Sequence, residues 1–255
     1  MDKKIIDNNK EIKKGQVILE GKGIFKFFKV GSGLVQVLKG IDVSITKGEF
    51  IILFGSSGCG KSTLVNILLG LEIPSEGKVI FKGKDIYTFE EDDRSQIRKE
   101  GIGLIYQQQN WVKSMNVLDN VAFPLTLKGI LKEERDRKAM DMLKMVNMEH
   151  AADQAPTELS SGQQQRISFA RALIANPALL VADEPTGNLD SKSGVELMGM
   201  FREYHEQGNT IIMITHDLEF LPYATRSLNM SDGVILREYK AGDKELDQFK
   251  LHIKK

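Results

Sequence analysis

The chain has 255 residues, 41% of them apolar, and its 35 Lys+Arg balance 35 Asp+Glu. That length supports one large domain or two small ones, and the zero net charge argues against broad attraction to nucleic acid, so no nucleic-acid partner is expected. No apolar stretch approaches the roughly 18 residues of a membrane span, and the single cysteine, Cys59, excludes an intrachain disulfide and fits a reducing compartment.

In chain order, residues 1–16 read as a flexible tail, because Met1 to Lys14 is polar, lysine-rich and without the apolar core of a signal peptide. Segments 17–28 and 34–46 alternate apolar and polar residues with glycine between them, which predicts a small antiparallel sheet. Continuous apolar runs follow at 50–54, 78–81, 102–106, 179–182 and 210–214, separated by helical patterns, as a buried and mostly parallel sheet requires. The fold class is therefore α/β: a mostly parallel core sheet, a small antiparallel β subdomain, and an inserted helical subdomain over about 95–160 that Pro156 ends. The main domain spans 17–237, and the charged residues 238–255 read as a short helix or a tail.

The first apolar run leads into Gly55-Ser56-Ser57-Gly58-Cys59-Gly60-Lys61-Ser62-Thr63 and then an apolar helix. Strand, glycine-rich loop and Lys-Ser/Thr form a phosphate-binding loop for a nucleoside triphosphate, a P-loop NTPase (RecA-like) core. The glycines let backbone N–H groups turn inward, and the helix adds its positive end. Lys61 is placed to reach the β- and γ-phosphates, Ser62 to ligate Mg2+, and Thr63 to contact an α-phosphate oxygen. Cys59 reads as filling an unconstrained loop position; beside Lys61 and a helix start, a lowered thiol pKa is the alternative.

Leu179–Ala182 ends in Asp183-Glu184-Pro185, and a parallel strand delivers its carboxyl end to the nucleotide crevice. There Asp183 is placed to hold Mg2+ and Glu184 to polarise the attacking water, unless the two acids merely open a turn. His216 ends the 210–214 run and is placed to meet the γ-phosphate. Ser160 and Gln163 have capping-box spacing at a helix start that runs to Asn176, which implies either an ordinary cap or a second anion site for a nucleotide held by another molecule.

Taken together, these residues resemble the nucleotide-binding subunits of ABC transporters over about 17–237. Residues 55–63 resemble their Walker A loop, 179–184 their Walker B strand, and Leu159-Ser160-Ser161-Gly162-Gln163 their Leu-Ser-Gly-Gly-Gln signature. Gly187-Asn188-Leu189-Asp190 resembles the D-loop, His216 the switch histidine, Gln107 the Q-loop glutamine, and Phe28 the aromatic residue that stacks on adenine, with Phe25 and Phe27 nearby. The resemblance implies ATP and Mg2+ as cofactors, with Gln107 beside Ser62 and Asp183 at the metal. It implies catalysis by Glu184, His216, Gln107 and Lys61, and a head-to-tail dimer, of this chain or with a close paralogue. Two ATP molecules would then lie between Lys61 of one copy and Ser160, Gly162 and Gln163 of the other, with Asp190 at the seam. Ser161 departs from the pattern; a Cβ at positive φ would cost about 1–2 kcal/mol, whereas a glycine needed only for close approach leaves serine tolerable.

Two strings, 117–125 and 182–190, are similar to the LolD/MacB-type subgroup of lipoprotein-release, macrolide and peptide exporters. That implies a separate integral membrane permease, FtsX/MacB-like and of the mechanotransmission type, and a peripheral location on the cytoplasmic face of the membrane. Gln107–Leu118 is the candidate docking segment, with Trp111 and Met115 either anchoring a permease helix or packing internally. Met140, Met142, Met145 and Met148 read as helical core. The alternative function is an ATP-switched dimer that controls a membrane-bound cell-division or wall-remodelling complex without transport.

Overall fold

The computed structural model describes residues 12–246. The tail expected over 1–16 lies outside the described residues up to 11, and the segment expected over 238–255 lies outside them from 247. The strands and helices run β1 (Val17–Val30), β2 (Gly33–Thr46), β3 (Phe50–Phe54), α1 (Lys61–Leu68), β4 (Glu76–Phe81), β5 (Lys84–Asp85) and α2 (Glu91–Gly101). Then come β6 (Ile102–Ile105), α3 (Val117–Leu127), α4 (Lys132–Met145), α5 (Ser161–Leu173), β7 (Leu179–Asp183), α6 (Ser191–Glu206), β8 (Ile211–Ile214), β9 (Arg226–Ser231) and β10 (Val234–Lys240). Two compact units result, one built from residues up to 98 and from 204 onward, the other from 99–203.

In the first unit, β3 is buried at all five positions. It pairs in parallel with β8 (Phe50↔Ile211 to Leu53↔Ile214) and with β9 (Ile51↔Arg226 to Phe54↔Asn229), and β10 closes antiparallel on β9. A central strand buried on both faces must be apolar throughout, and Phe-Ile-Ile-Leu-Phe is. The antiparallel sheet has the order β2-β1-β4-β5. Its inward side chains, Val43 and Ile45, share a small internal void with Ile51, Leu53, Leu64 and Leu68, so this sheet, β3 and α1 bury one another. The C-terminal end of α1 is held by Tyr87, whose hydroxyl lies 2.6 Å from the carbonyls of both Ile67 and Glu72, and by Arg98, which donates to the Gly70 carbonyl at 2.8 Å.

Three expectations change here. Run 78–81, read with the parallel core, lies in the antiparallel sheet, paired to β1 by Leu19↔Phe81 through Lys22↔Lys78. Strands β9 and β10 carry no clean apolar run and were not predicted; Arg226 is half-buried on β9, its guanidinium bonded to Glu49, Glu238 and the Ser44 carbonyl. Glu238, Tyr239 and Lys240 complete β10, and Lys244–Leu246 form a short 3-10 turn, so the terminal segment does not begin at 238.

In the second unit, β6 and β7 pair in parallel from Ile102↔Leu179 to Ile105↔Ala182. Helices α3 and α4 form a hairpin, and both contact α5. Asn116 caps α3 by accepting from the Asp119 N–H at 2.8 Å. Asn120, fully buried, holds the loop before that helix: its Oδ1 accepts from the Val112 N–H at 3.0 Å, and its amide nitrogen lies 2.9–3.2 Å from the carbonyls of Val112, Met115 and Asn116. Pro156 opens a 3-10 turn, Pro156–Glu158, and does not terminate a helix. Met148 is fully buried as expected, but Met145 is 48% exposed and is not core. Among the described residues no helix is long and apolar enough to cross a membrane.

Candidate nucleotide site

The loop from Gly55 to Gly60 connects β3 to α1 in the first unit. Gly60 occupies the N-cap of α1 at φ 102 and supplies no side-chain cap, so the first-turn N–H groups are left for an anion. Lys61, only 6% exposed, folds back over the loop: its Nζ donates to the Gly55 and Ser56 carbonyls, each at 2.9 Å, and lies 3.9 Å from Cys59 Sγ. Its charge is thus met by two carbonyl oxygens and a sulfur, an arrangement that a phosphate would replace with anionic partners. Cys59 is buried; its carbonyl accepts from the Gly233 N–H at 3.1 Å, and the Gly233 carbonyl accepts from the Lys39 N–H at 2.9 Å, which ties the loop to β2. Ser56, Ser57, Gly58 and Ser62 are exposed, and Thr63 is half-buried.

Two further predicted residues lie in this unit. Of the three clustered phenylalanines, Phe25 packs where a Cβ on Gly40 would stand, 2.7 Å from Phe25 Cζ, whereas Phe28 is 37% exposed with Lys26 Nζ 4.8 Å from its ring centroid. His216 follows β8, with its side chain exposed and Nε2 3.7 Å from Asp217 Oδ1. Thr215, before it, is buried and accepts from the Asp217 N–H at 2.9 Å, which fixes the turn that presents the imidazole.

The remaining predicted residues belong to the second unit. Asp183 ends β7, and Glu184 follows at φ 47, a left-handed conformation costly for a residue with a Cβ and common where function holds strain. A Cβ placed on Gly187 would stand 3.0 Å from Gln107 Nε2 and 3.6 Å from Glu184 Oε2, so Gln107 and Glu184 converge on the same glycine. The oxygen donors Ser62, Gln107 and Asp183 are hard ligands of the kind Mg2+ takes. Among the described residues no group of three or more His, Cys, Asp or Glu forms a metal cluster.

Ser160 is the N-cap of α5 in a full capping box. Its hydroxyl accepts from the Gln163 N–H at 3.3 Å, and Gln163 Oε1 accepts from the Ser160 N–H at 2.9 Å. Ser161 is the first helical residue and does not have positive φ, so the strain foreseen for it does not arise. Space at Gly162 is tight: a Cβ there would meet Ser193 Oγ at 3.0 Å and Ser193 Cβ at 3.2 Å. Ser193 in turn binds Asp190 through its N–H at 2.9 Å and its hydroxyl at 2.8 Å, and these two donors hold the exposed Asp190 carboxyl below the ordinary aspartate range. The signature-like helix start and Asp190 therefore meet at Ser193, a residue that the sequence reading did not single out. Gln109, Gln164 and Gln165 were a second missed signal: Gln109 donates to Gln165, and Gln164 accepts from Trp111, which joins loop to helix. Trp111 is half-buried: its indole N–H donates to Gln164 Oε1 at 2.8 Å and Arg171 stacks on its ring.

Comparison with known proteins places this geometry. A family model described as ABC transporter matches residues 38–187. An uncharacterized ABC transporter ATP-binding protein of Methanocaldococcus jannaschii is 41% identical over 219 residues, covering 86% of this chain and 98% of that protein. The macrolide export ATP-binding/permease protein MacB of Wolinella succinogenes is 40% identical over 231 residues, 91% of this chain, and the chain spans 36% of MacB's length. The dimeric post-hydrolysis structure of the ATP-binding cassette MJ0796, bound to ADP and Pi, superposes with a TM-score of 0.82 at 36% identity, covering 88% of this chain and 98% of that one.

Proposed function

The chain belongs to the ABC transporter family as an ATP-binding, ATP-hydrolysing cassette, and from that premise we propose that it energises a membrane permease carried on a separate chain. The observation that carries this reading is the likeness to MacB, an ATP-binding/permease protein, which covers 91% of this chain. The permease would be of the mechanotransmission type, serving lipoprotein, macrolide or peptide export, with the cassette peripheral on the cytoplasmic face. Residues Gln107–Leu118 would dock it, held in shape by Asn120.

Each ATP would sit between two copies, or between this chain and a close paralogue. In one copy Lys61 would neutralise the β- and γ-phosphates, while N–H groups from Gly55 to Thr63 and the uncapped start of α1 surround them. Phe28 would stack on the adenine. Ser160, Gly162 and Gln163 of the other copy would close on the γ-phosphate from the opposite side, with Asp190 at the seam. Mg2+, held by Ser62, Gln107 and Asp183, would screen phosphate charge. Glu184 would accept a proton from the attacking water as its oxygen bonds to the γ-phosphorus and the bond to the ADP oxygen breaks. His216 and Gln107 would orient that water and the γ-phosphate. Release of phosphate removes the charge that both copies share, so the dimer opens: a switch driven by differential affinity for ATP and ADP.

The test is hydrolysis and association in parallel. Glu184→Gln should bind MgATP, trap a dimer and lower turnover by about 10²–10⁴-fold, and Lys61→Ala should lose nucleotide binding. An unchanged rate removes Glu184 from the base role. A solely monomeric Glu184→Gln with ATP bound, and with the permease supplied, refutes the shared site. Cargo movement by the reconstituted complex separates export from control of a division or wall-remodelling complex.

A further inference from the structure

Two residues past Gln107, the loop is fastened to α5 by its side chains. Gln109 Nε2 donates to Gln165 Oε1 at 2.8 Å, and Gln165 is only 1% exposed. The indole N–H of Trp111 donates to Gln164 Oε1 at 2.8 Å, and the other end of that amide donates to the Leu159 carbonyl at 2.9 Å, one residue before Ser160. The guanidinium of Arg171 donates to the carbonyls of Gln109 and Asn110 and sits 4.4 Å from the Trp111 ring centroid. Gln164 and Arg171 are two helical turns apart on one face of α5, so a single helix face grips the loop twice. Asn110 turns the chain there at φ 48, which presents two successive carbonyls to Arg171.

We propose that Gln109, Asn110 and Trp111 on the loop, with Gln164, Gln165 and Arg171 on the helix, form a strut that makes the Gln107 loop and the Ser160 helix start move as one body. Trp111 and Gln164 are then positioning residues for ATP hydrolysis; they touch neither nucleotide nor metal. The inference rests on the proposed roles of Gln107 and Ser160. A change at Gln107 when nucleotide binds reaches Leu159 through Trp111 and Gln164, a path of two side chains. Without the strut, Gln107 and Ser160 would each have to find their place separately in the closed dimer. The binding of ATP by the Lys61 loop of a single copy would be untouched.

The test is a double-mutant cycle in the whole chain on Trp111→Phe, which keeps a ring for Arg171 but removes the N–H, and Gln164→Met, which keeps the side-chain length but removes both amide bonds. The kcat for ATP, counted per nucleotide-binding site, should fall about 3–10-fold in each variant, the worth of one hydrogen bond. The Kd for MgATP should stay within about 2-fold. The double variant should lose no more than the worse single one, because both remove the same linkage. Wild-type kcat in either folded variant, additive losses, or a loss confined to Kd would overturn the strut. Should Trp111→Phe fail to fold, Gln164→Met decides by the same split between kcat and Kd. Failure of the unmodified chain to bind MgATP would remove the proposed function and the strut with it.

Discussion

Gly55 and Gly58 stand three residues apart in one loop, and replacing each with alanine should have very different consequences. At Gly55, with φ +150, an added Cβ would lie 2.0 Å from the Met230 carbonyl oxygen and 3.0 Å from its carbon. A carbon and a carbonyl oxygen in contact stand about 3.3 Å apart, so the overlap is about 1.3 Å. Neither group can rotate away, because both are backbone, and Met230 is fixed on β9 by its register with Ile235 while the adjacent Asn229 pairs with Phe54. Relief requires β9 to part from β3 at the strand end that feeds the loop. Overpacking of this kind, added to a backbone conformation that disfavours a side chain, should cost about 3–5 kcal/mol. At Gly58, with φ +77, an added Cβ would meet nothing within 4 Å, so only the left-handed conformation is penalised, by about 1 kcal/mol. For a chain of this size each kcal/mol lowers Tm by about 2–4 °C. Thermal unfolding followed by circular dichroism should therefore show a fall on the order of 10 °C for Gly55→Ala and about 2–4 °C for Gly58→Ala. A Gly55→Ala protein within about 1 kcal/mol of the parent, or a Gly58→Ala protein equally damaged, would refute the account of close backbone approach.

Tyr87→Phe should lower stability by about 1–2 kcal/mol, because the carbonyls of Ile67 and Glu72 lose the one hydroxyl proton they share; denaturant titration reads the change. Asn120→Ala should cost about 2–3 kcal/mol, since the Val112 N–H and the carbonyls of Val112, Met115 and Asn116 lose a fully buried partner, and faster hydrogen exchange should be confined to that loop. Asp190 gives a prediction in pH. Its carboxyl is held below the ordinary range by the N–H and hydroxyl of Ser193, so its contribution to stability is present above the unfolded value and is lost as pH falls through the folded one. The window lies below about pH 4. Carboxyl NMR should show the Asp190 midpoint rising toward the ordinary value in Ser193→Ala, which keeps only the backbone donor; an unmoved midpoint would exclude the hydroxyl as a cause.

Much of this chain was legible before any coordinates. Residues 50–63 declare a strand, a loop and a helix because every requirement there is local: a fully apolar run, glycines, then Lys-Ser-Thr. The capping box of Ser160 and Gln163 is local too, and both of its hydrogen bonds are present. Apolar periodicity does not state which strand lies beside which, and so 78–81 was read into the parallel core although it pairs with β1. Strands β9 and β10 stayed hidden because their ladder partners, not their composition, make them strands, with the half-buried Arg226 paired to Glu49 and Glu238.

Sequence alone determined the phosphate-binding loop, the α/β class and the order of the family's motifs, since each is encoded within a few consecutive residues. Only the tertiary structure decided how closely Ser193 approaches Gly162, why Ser161 is harmless, and that Trp111 faces Gln164 and Arg171. Those answers depend on Ser193 and α5, residues about 30 to 60 positions away, which are brought near only by packing that no local pattern records.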